Sequence, residues 1–131
     1  IQKEEYLLNG KYHREDGPAY IEYYENGDVN LEGWYENGLC GRKDGPAEIG
    51  YYEDGNISFE CWYSIGDGSI SREDGPAWIE YYKNGIISAE KWYKNGQKHR
   101  EDGPAYITYS EDGNIEREVW YKKGIREESI V

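Results

Sequence analysis

The chain of 131 residues has no long apolar run, two cysteines, two histidines, and 15 basic side chains against 27 acidic ones. Each shortage closes a class of explanation. No stretch approaches the roughly 20 apolar residues of a membrane-spanning helix, and no signal peptide is recognisable. Cys40 and Cys61 are too few for a disulfide scaffold. A single staple between them stands as the alternative to two free thiols, which is the plainer reading and matches a reducing, cytoplasmic or intracellular location. With Ile1 instead of Met at its start, the chain is expected to be processed or cut from a longer protein. With a net charge of −12 and no cluster of Lys and Arg, nucleic acid and anionic membranes are not expected as direct ligands, whereas a protein with a basic patch is.

A hydrophobic fraction of 37% at that charge leans toward disorder. Fifteen Tyr and five Trp oppose it by supplying large side chains to bury. A folded, soluble, acidic protein is expected.

What is present in abundance is repetition. Asp-Gly-Pro-Ala begins at residues 16, 44, 74 and 102, so successive copies lie 28, 30 and 28 residues apart. Residues 1–131 read as one repeat domain: a partial unit or cap at 1–15, units at 16–43, 44–73 and 74–101, and a last unit at 102–131 that ends in a partial cap. Each unit predicts a β-hairpin, since Asn26-Gly27, Asp54-Gly55, Asn84-Gly85 and Asp112-Gly113 separate two β-rich runs. The expected fold is all-β, an elongated, twisted antiparallel sheet of consecutive hairpins. With about nine strands at ~4.8 Å spacing it would be on the order of 40 Å long. The link from one unit to the next is long for a hairpin, and its two extra residues between Trp62 and Asp74 are expected in a surface loop.

The first strand of every unit places Ala, Ile and Tyr on one face, as in Ala19, Ile21 and Tyr23. Positions that are identical across units mark the packed side. The second strand carries Glu-x-Trp-Tyr, with Glu32, Glu60, Glu90 and Glu118 two residues before Trp34, Trp62, Trp92 and Trp120. Arg14, Arg42, Arg72 and Arg100 recur two residues before the Asp of the tetrapeptide. A Glu to Arg ladder between hairpins is the expected pairing. Pro suits the start of a strand, and the Asp before it is expected to bond backbone amides and hold the turn.

Gly33-Trp34-Tyr35-Glu36-Asn37-Gly38, Lys91-Trp92-Tyr93-Lys94-Asn95-Gly96 with His99, and turn pairs such as Asp112-Gly113 resemble the MORN repeat family, particularly its divergent bacterial and large-virus variants. The match covers nearly the whole chain. A standard unit of that family is shorter and has Tyr-x-Gly-x-Trp with a downstream Gly-x-Gly. This chain has Glu two residues before Trp, and Asp-Gly-Pro-Ala, which place it in a variant subgroup. The resemblance implies an elongated sheet used as a scaffold or adaptor. Phospholipid binding has been proposed for the family, but here the acidity would repel anionic head groups.

No catalytic, metal or cofactor site is expected. His13 and His99 occupy the same place in different units and read as turn residues instead of a shared site. Glu53-Asp54-Gly55-Asn56 and Asp67-Gly68-Ser69 lack the ligand spacing of calcium loops. No phosphate loop or nucleophile motif is present.

Between the invariant positions of the first strands lie side chains that differ from copy to copy. Tyr20, Glu22, Tyr24, Glu48, Tyr52, Trp78, Glu80, Tyr82 and Tyr106 form the candidate binding face. The competing reading is that this face is covered by curling of the sheet or by side chains of the second strands. The expected function is a non-enzymatic scaffold or adaptor that binds a protein through an acidic, aromatic surface. A glycan-binding module with sugar rings stacked on Tyr and Trp is the alternative, and a carboxylate-based hydrolase has least support. Self-association through open sheet edges is a further option, opposed by Lys3, Glu4 and Glu5 at one end and Arg126 to Glu128 at the other.

Overall fold

The protein is described by a computed structural model over residues 2–127. Glu128 lies outside the described residues. Nine strands form one antiparallel sheet in which spatial order follows chain order: β1 (Gln2–Glu5), β2 (Tyr20–Tyr23), β3 (Val29–Gly33), β4 (Glu48–Tyr51), β5 (Ile57–Cys61), β6 (Trp78–Tyr81), β7 (Ile87–Lys91), β8 (Tyr106–Tyr109) and β9 (Ile115–Val119). The fold is all-β, as the hairpin pattern predicts. No helix among the described residues is long and apolar enough to cross a membrane.

Within a unit, the strands of the large sheet are joined by a turn of the type Tyr24 to Asp28. The Gly27 amide donates to the Tyr24 carbonyl at 2.9 Å and the Tyr24 amide to the Asp28 carbonyl at 2.8 Å. Of the Asn26-Gly27 pair only the glycine has positive φ, at 92°. This is a type I turn closed by a left-handed glycine. A bulge follows at each hairpin, where the register shifts between Glu22 and Tyr23 and at the three equivalent places.

The long links between units contain hairpins of their own. Tyr35–Glu36 pairs with Leu39–Cys40, and Leu7–Leu8 with Lys11–Tyr12, Tyr93–Lys94 with Gln97–Lys98, and Tyr121–Lys122 with Ile125–Arg126 do the same. Here both turn residues are left-handed, with φ of 50° at Asn37 and 86° at Gly38. These are the two-residue turns that Asn-Gly signals most strongly. In the link with two extra residues the hairpin is reduced to one bridge between Tyr63 and Ile70, and Ile65, Gly66 and Asp67 are exposed, as expected of an insertion.

The invariant face is packed, and Cys61, Ala89 and Val119 on the opposite face are buried as well. Ala19, Ala47, Ala77 and Ala105 are 0% exposed, and Ile21, Ile49, Ile79 and Ile107 are buried beside them. Each alanine sits between two second strands: the Ala47 amide donates to the Cys61 carbonyl at 2.8 Å, and its carbonyl accepts from the Trp34 amide at 2.7 Å. A larger residue would find no space.

The expected Glu to Arg ladder is not what forms. Each arginine lies on the aromatic ring of the preceding second strand, with the Arg14, Arg42, Arg72 and Arg100 guanidinium carbons 3.9, 3.9, 4.0 and 3.9 Å from the centroids of Tyr6, Trp34, Trp62 and Trp92. Its Nη1 donates to the proline carbonyl of its own tetrapeptide, at 3.0 Å for Arg72 and Pro76. The glutamate is occupied elsewhere. Glu32 accepts from the Tyr51 hydroxyl at 2.5 Å, Glu60 from Tyr81 at 2.6 Å, Glu90 from Tyr109, and in the partial first unit Glu4 from Tyr23 at 2.6 Å. Register explains the exchange. Glu32 lies directly opposite Ile49, and Tyr51 on the same face of that strand brings its hydroxyl back to the carboxylate.

The tetrapeptide is explained by the same arginine. A Cβ on Gly75 would stand 2.9 Å from the Arg72 guanidinium carbon, so glycine leaves room for a planar group held between backbone and indole. The aspartate does not bond amides as expected. Asp16, Asp74 and Asp102 lie 3.4, 3.5 and 3.7 Å from the Nε of Arg14, Arg72 and Arg100 and are almost wholly exposed, which makes them weak, screened pairs.

Candidate functional site

The opposite face is defined by two cross-strand rows. One runs Tyr20, Gly33, Glu48, Cys61, Trp78, Lys91, Tyr106 and Val119, each directly opposite the next. The second runs Glu22, Leu31, Gly50, Phe59, Glu80, Ala89 and Thr108. Six of the nine candidate residues therefore share a face: Tyr20, Glu22, Glu48, Trp78, Glu80 and Tyr106.

The other three have a different place. The Tyr24 hydroxyl donates to the Tyr51 carbonyl, Tyr52 to the Tyr81 carbonyl at 2.6 Å, and Tyr82 to the Tyr109 carbonyl at 2.6 Å. These tyrosines tie each hairpin turn to the strand of the next unit. All nine are half-buried, neither open to water nor sealed from it.

Partial cover comes from side chains of the second strands, which the competing reading named, and from the link hairpins, which it did not. Tyr12 meets Tyr20 edge-on, with centroids 5.6 Å apart, and Tyr35 at 5.1 Å. Lys98 lies 5.3 Å from the Tyr106 ring and 5.1 Å from Tyr121. Phe59 stacks on Trp78 at 5.1 Å and 7°. The Trp78 indole N–H donates to Glu80 at 2.7 Å, and Lys91 pairs with Glu80 at 3.6 Å while lying 5.3 Å from the Trp78 ring. Phe59, Lys91 and Lys98 were not recognised from sequence because each occurs once at its repeat position. The two-residue alternation that puts Phe59 opposite Glu60 and Trp62 in the second strand was the available signal.

Unit two departs from its neighbours on this face. Glu48 stands where the other units have Tyr20, Trp78 and Tyr106, and it lies opposite Gly33 on one side and Cys61 on the other. Burial raises the Glu48 carboxyl pKa and pushes the Cys40 and Cys61 thiols up to about 12. Both cysteines are free, and Cys61 is fully buried. Deeply protonated thiols are poor nucleophiles. Among the described residues, no three His, Cys, Asp or Glu side chains are arranged to hold a metal ion.

The histidines are turn residues. His13 Nδ1 accepts from the Asn37 amide at 3.1 Å and His99 Nδ1 from the Lys123 amide at 3.0 Å, while Ser71 does the same for Asn95 at 3.1 Å. Asp54 and Asp67 accept the amides two residues on, each at 3.0 Å. No family model, curated protein or solved structure matches this chain.

Proposed function

We propose that the protein is a non-enzymatic scaffold that binds a protein partner through the face carrying Tyr20, Glu22, Glu48, Trp78, Glu80 and Tyr106. The observation that supports it is the division of labour between the two faces. On the invariant face the Glu to Tyr bond and the Arg on Trp stack recur from one junction to the next. On the other, half-exposed aromatic and acidic groups change from unit to unit, giving a surface that can be specific. The net charge of −12 favours a partner with a basic patch and predicts association that weakens with salt. The resemblance to MORN-type arrays points the same way.

The glycan reading has less support, because stacking on a sugar needs an open ring. Trp78 is flanked from β5 by Phe59 and from β7 by Lys91.

The test is affinity capture of partners from the native source, with cross-links mapped onto the two faces. Cross-links to the variable face, lost in Trp78→Ala with Tyr106→Ala while the fold persists, would support the proposal. Recovery of the same proteins without the array would sink it. Glycan-array signals that the same double variant abolishes would favour the lectin instead.

A further inference from the structure

The four junctions between successive units repeat one set of contacts, and that set reveals what the last strand is shaped to receive. At each junction the amide of the aromatic residue donates to an alanine carbonyl: Tyr6 to Ala19 at 2.8 Å, Trp34 to Ala47 at 2.7 Å, Trp62 to Ala77 at 2.8 Å and Trp92 to Ala105 at 2.7 Å. The glutamate two residues earlier accepts a tyrosine hydroxyl from the incoming strand, as Glu60 does from Tyr81. The incoming segment's arginine covers the ring, as Arg72 covers Trp62.

Strand β9 carries the same half of the junction. Glu118 and Trp120 hold the positions of Glu90 and Trp92, and β9 is the outer strand of the sheet. Among the described residues no tyrosine hydroxyl reaches Glu118, no guanidinium covers Trp120, and no backbone carbonyl accepts the Trp120 amide. Trp120 is 39% exposed and Ile115 56%. Val119, on the other face, is already buried, so the edge is held in a strand conformation before anything pairs with it.

We propose that the β9 edge is a strand-accepting site. Its ligand is an extended segment of another polypeptide with the pattern Arg-x-Asp-Gly-Pro-Ala-x-Ile-x-Tyr. Such a segment adds a tenth strand by main-chain hydrogen bonds, while its side chains set the specificity. The alanine is required because the four internal ones are 0% exposed. The four segments of this pattern within residues 1–131 each lie between two strands already, so none of them is free to fill the edge. This site is on the sheet edge and stands independently of the variable face.

The test uses a labelled synthetic peptide with the sequence of residues 98–110, titrated into the full chain and followed by fluorescence anisotropy and amide exchange. Saturable binding with new protection at Glu118 and Trp120 is expected. Trp120→Ala in the protein, or Ala105→Leu in the peptide, should each weaken binding by about tenfold or more. The peptide substitution cannot affect the folding of the protein. Failure to saturate, equal binding of a scrambled peptide, or indifference to both substitutions would overturn the proposal. So would assembly of the protein with itself through this edge that excess peptide does not displace.

Discussion

The guanidinium of Arg72 lies 4.0 Å from the centre of the Trp62 ring and donates through Nη1 to the Pro76 carbonyl at 3.0 Å, which joins one hairpin to the next. Arginine is suited to this place because its plane can stack and donate at once. Arg72→Ala should lower stability by ~1–3 kcal/mol in urea unfolding, through loss of the stack and an orphaned carbonyl. Arg72→Lys keeps the charge without the plane and should fall between. Gly75→Ala acts on the same group, so its effect should shrink in the Arg72→Ala background. Additive losses would show that glycine and arginine are independent.

The hydroxyl of Tyr81 and the carboxylate of Glu60, 2.6 Å apart, form the second tie between units. A double-mutant cycle of Tyr81→Phe and Glu60→Gln should return a coupling of ~1 kcal/mol, read from unfolding midpoints at constant slope. A coupling near zero would mean the bond adds nothing beyond packing.

Much of this architecture was legible because repetition turns one chain into four measurements. The Ala and Ile alternation located the buried face, and the Gly pairs located the turns within units. The partner of each arginine was not legible. Arg42 follows Trp34 by eight residues, and whether it meets Trp34 or Glu32 depends on how the intervening Asn37-Gly38 hairpin folds back. That hairpin had a strong turn signal, but its strands are two residues long and carry no alternation to read. The site was half legible for a related reason. Strict alternation assigned Tyr24 to the variable face, yet the bulge and turn just beyond Tyr23 redirect it to the Tyr51 carbonyl. Phe59 on Trp78 and the pair of Lys91 with Glu80 each occur once in the array, so no internal comparison announced them.

Alkaline conditions should loosen the array. The Tyr109 phenol is pushed up to about 12, first by burial and then by its bond to Glu90. A phenol whose folded pKa exceeds its unfolded value of about 10 contributes stability fully below pH 10 and loses it as pH rises toward 12. The two thiols, raised from 9 to about 12 by burial, act with the same sign over the window from about 9 to 12. Unfolding midpoints should therefore decline above pH 9, with a smaller decline for Tyr109→Phe and smaller again with Cys61→Ala added. At neutral pH a disulfide reagent should label Cys61 only as fast as the protein opens. Immediate labelling of both thiols would contradict the buried placement.

Gly50 tests the variable face without altering any of its aromatic residues. It occupies the position of Glu22, Glu80 and Thr108, between Leu31 and Phe59, and a Cβ there would stand 2.3 Å from the Phe59 ring and 2.9 Å from the Ser58 hydroxyl. Glu22 and Thr108 have no phenylalanine opposite, whereas Glu80 flanks Phe59 from the other side, so the ring occupies the space that a side chain at position 50 would need. Gly50→Ala must move the Phe59 ring, and that ring is stacked on Trp78. We expect a loss of ~1–3 kcal/mol by overpacking, together with a change in the near-ultraviolet circular dichroism of the coupled rings. Replacing Phe59 by Ala first should remove most of the cost of Gly50→Ala, leaving only the smaller contact with the Ser58 hydroxyl. If Gly50→Ala changes neither stability nor the aromatic spectrum, Phe59 does not hold Trp78 in its stacked geometry.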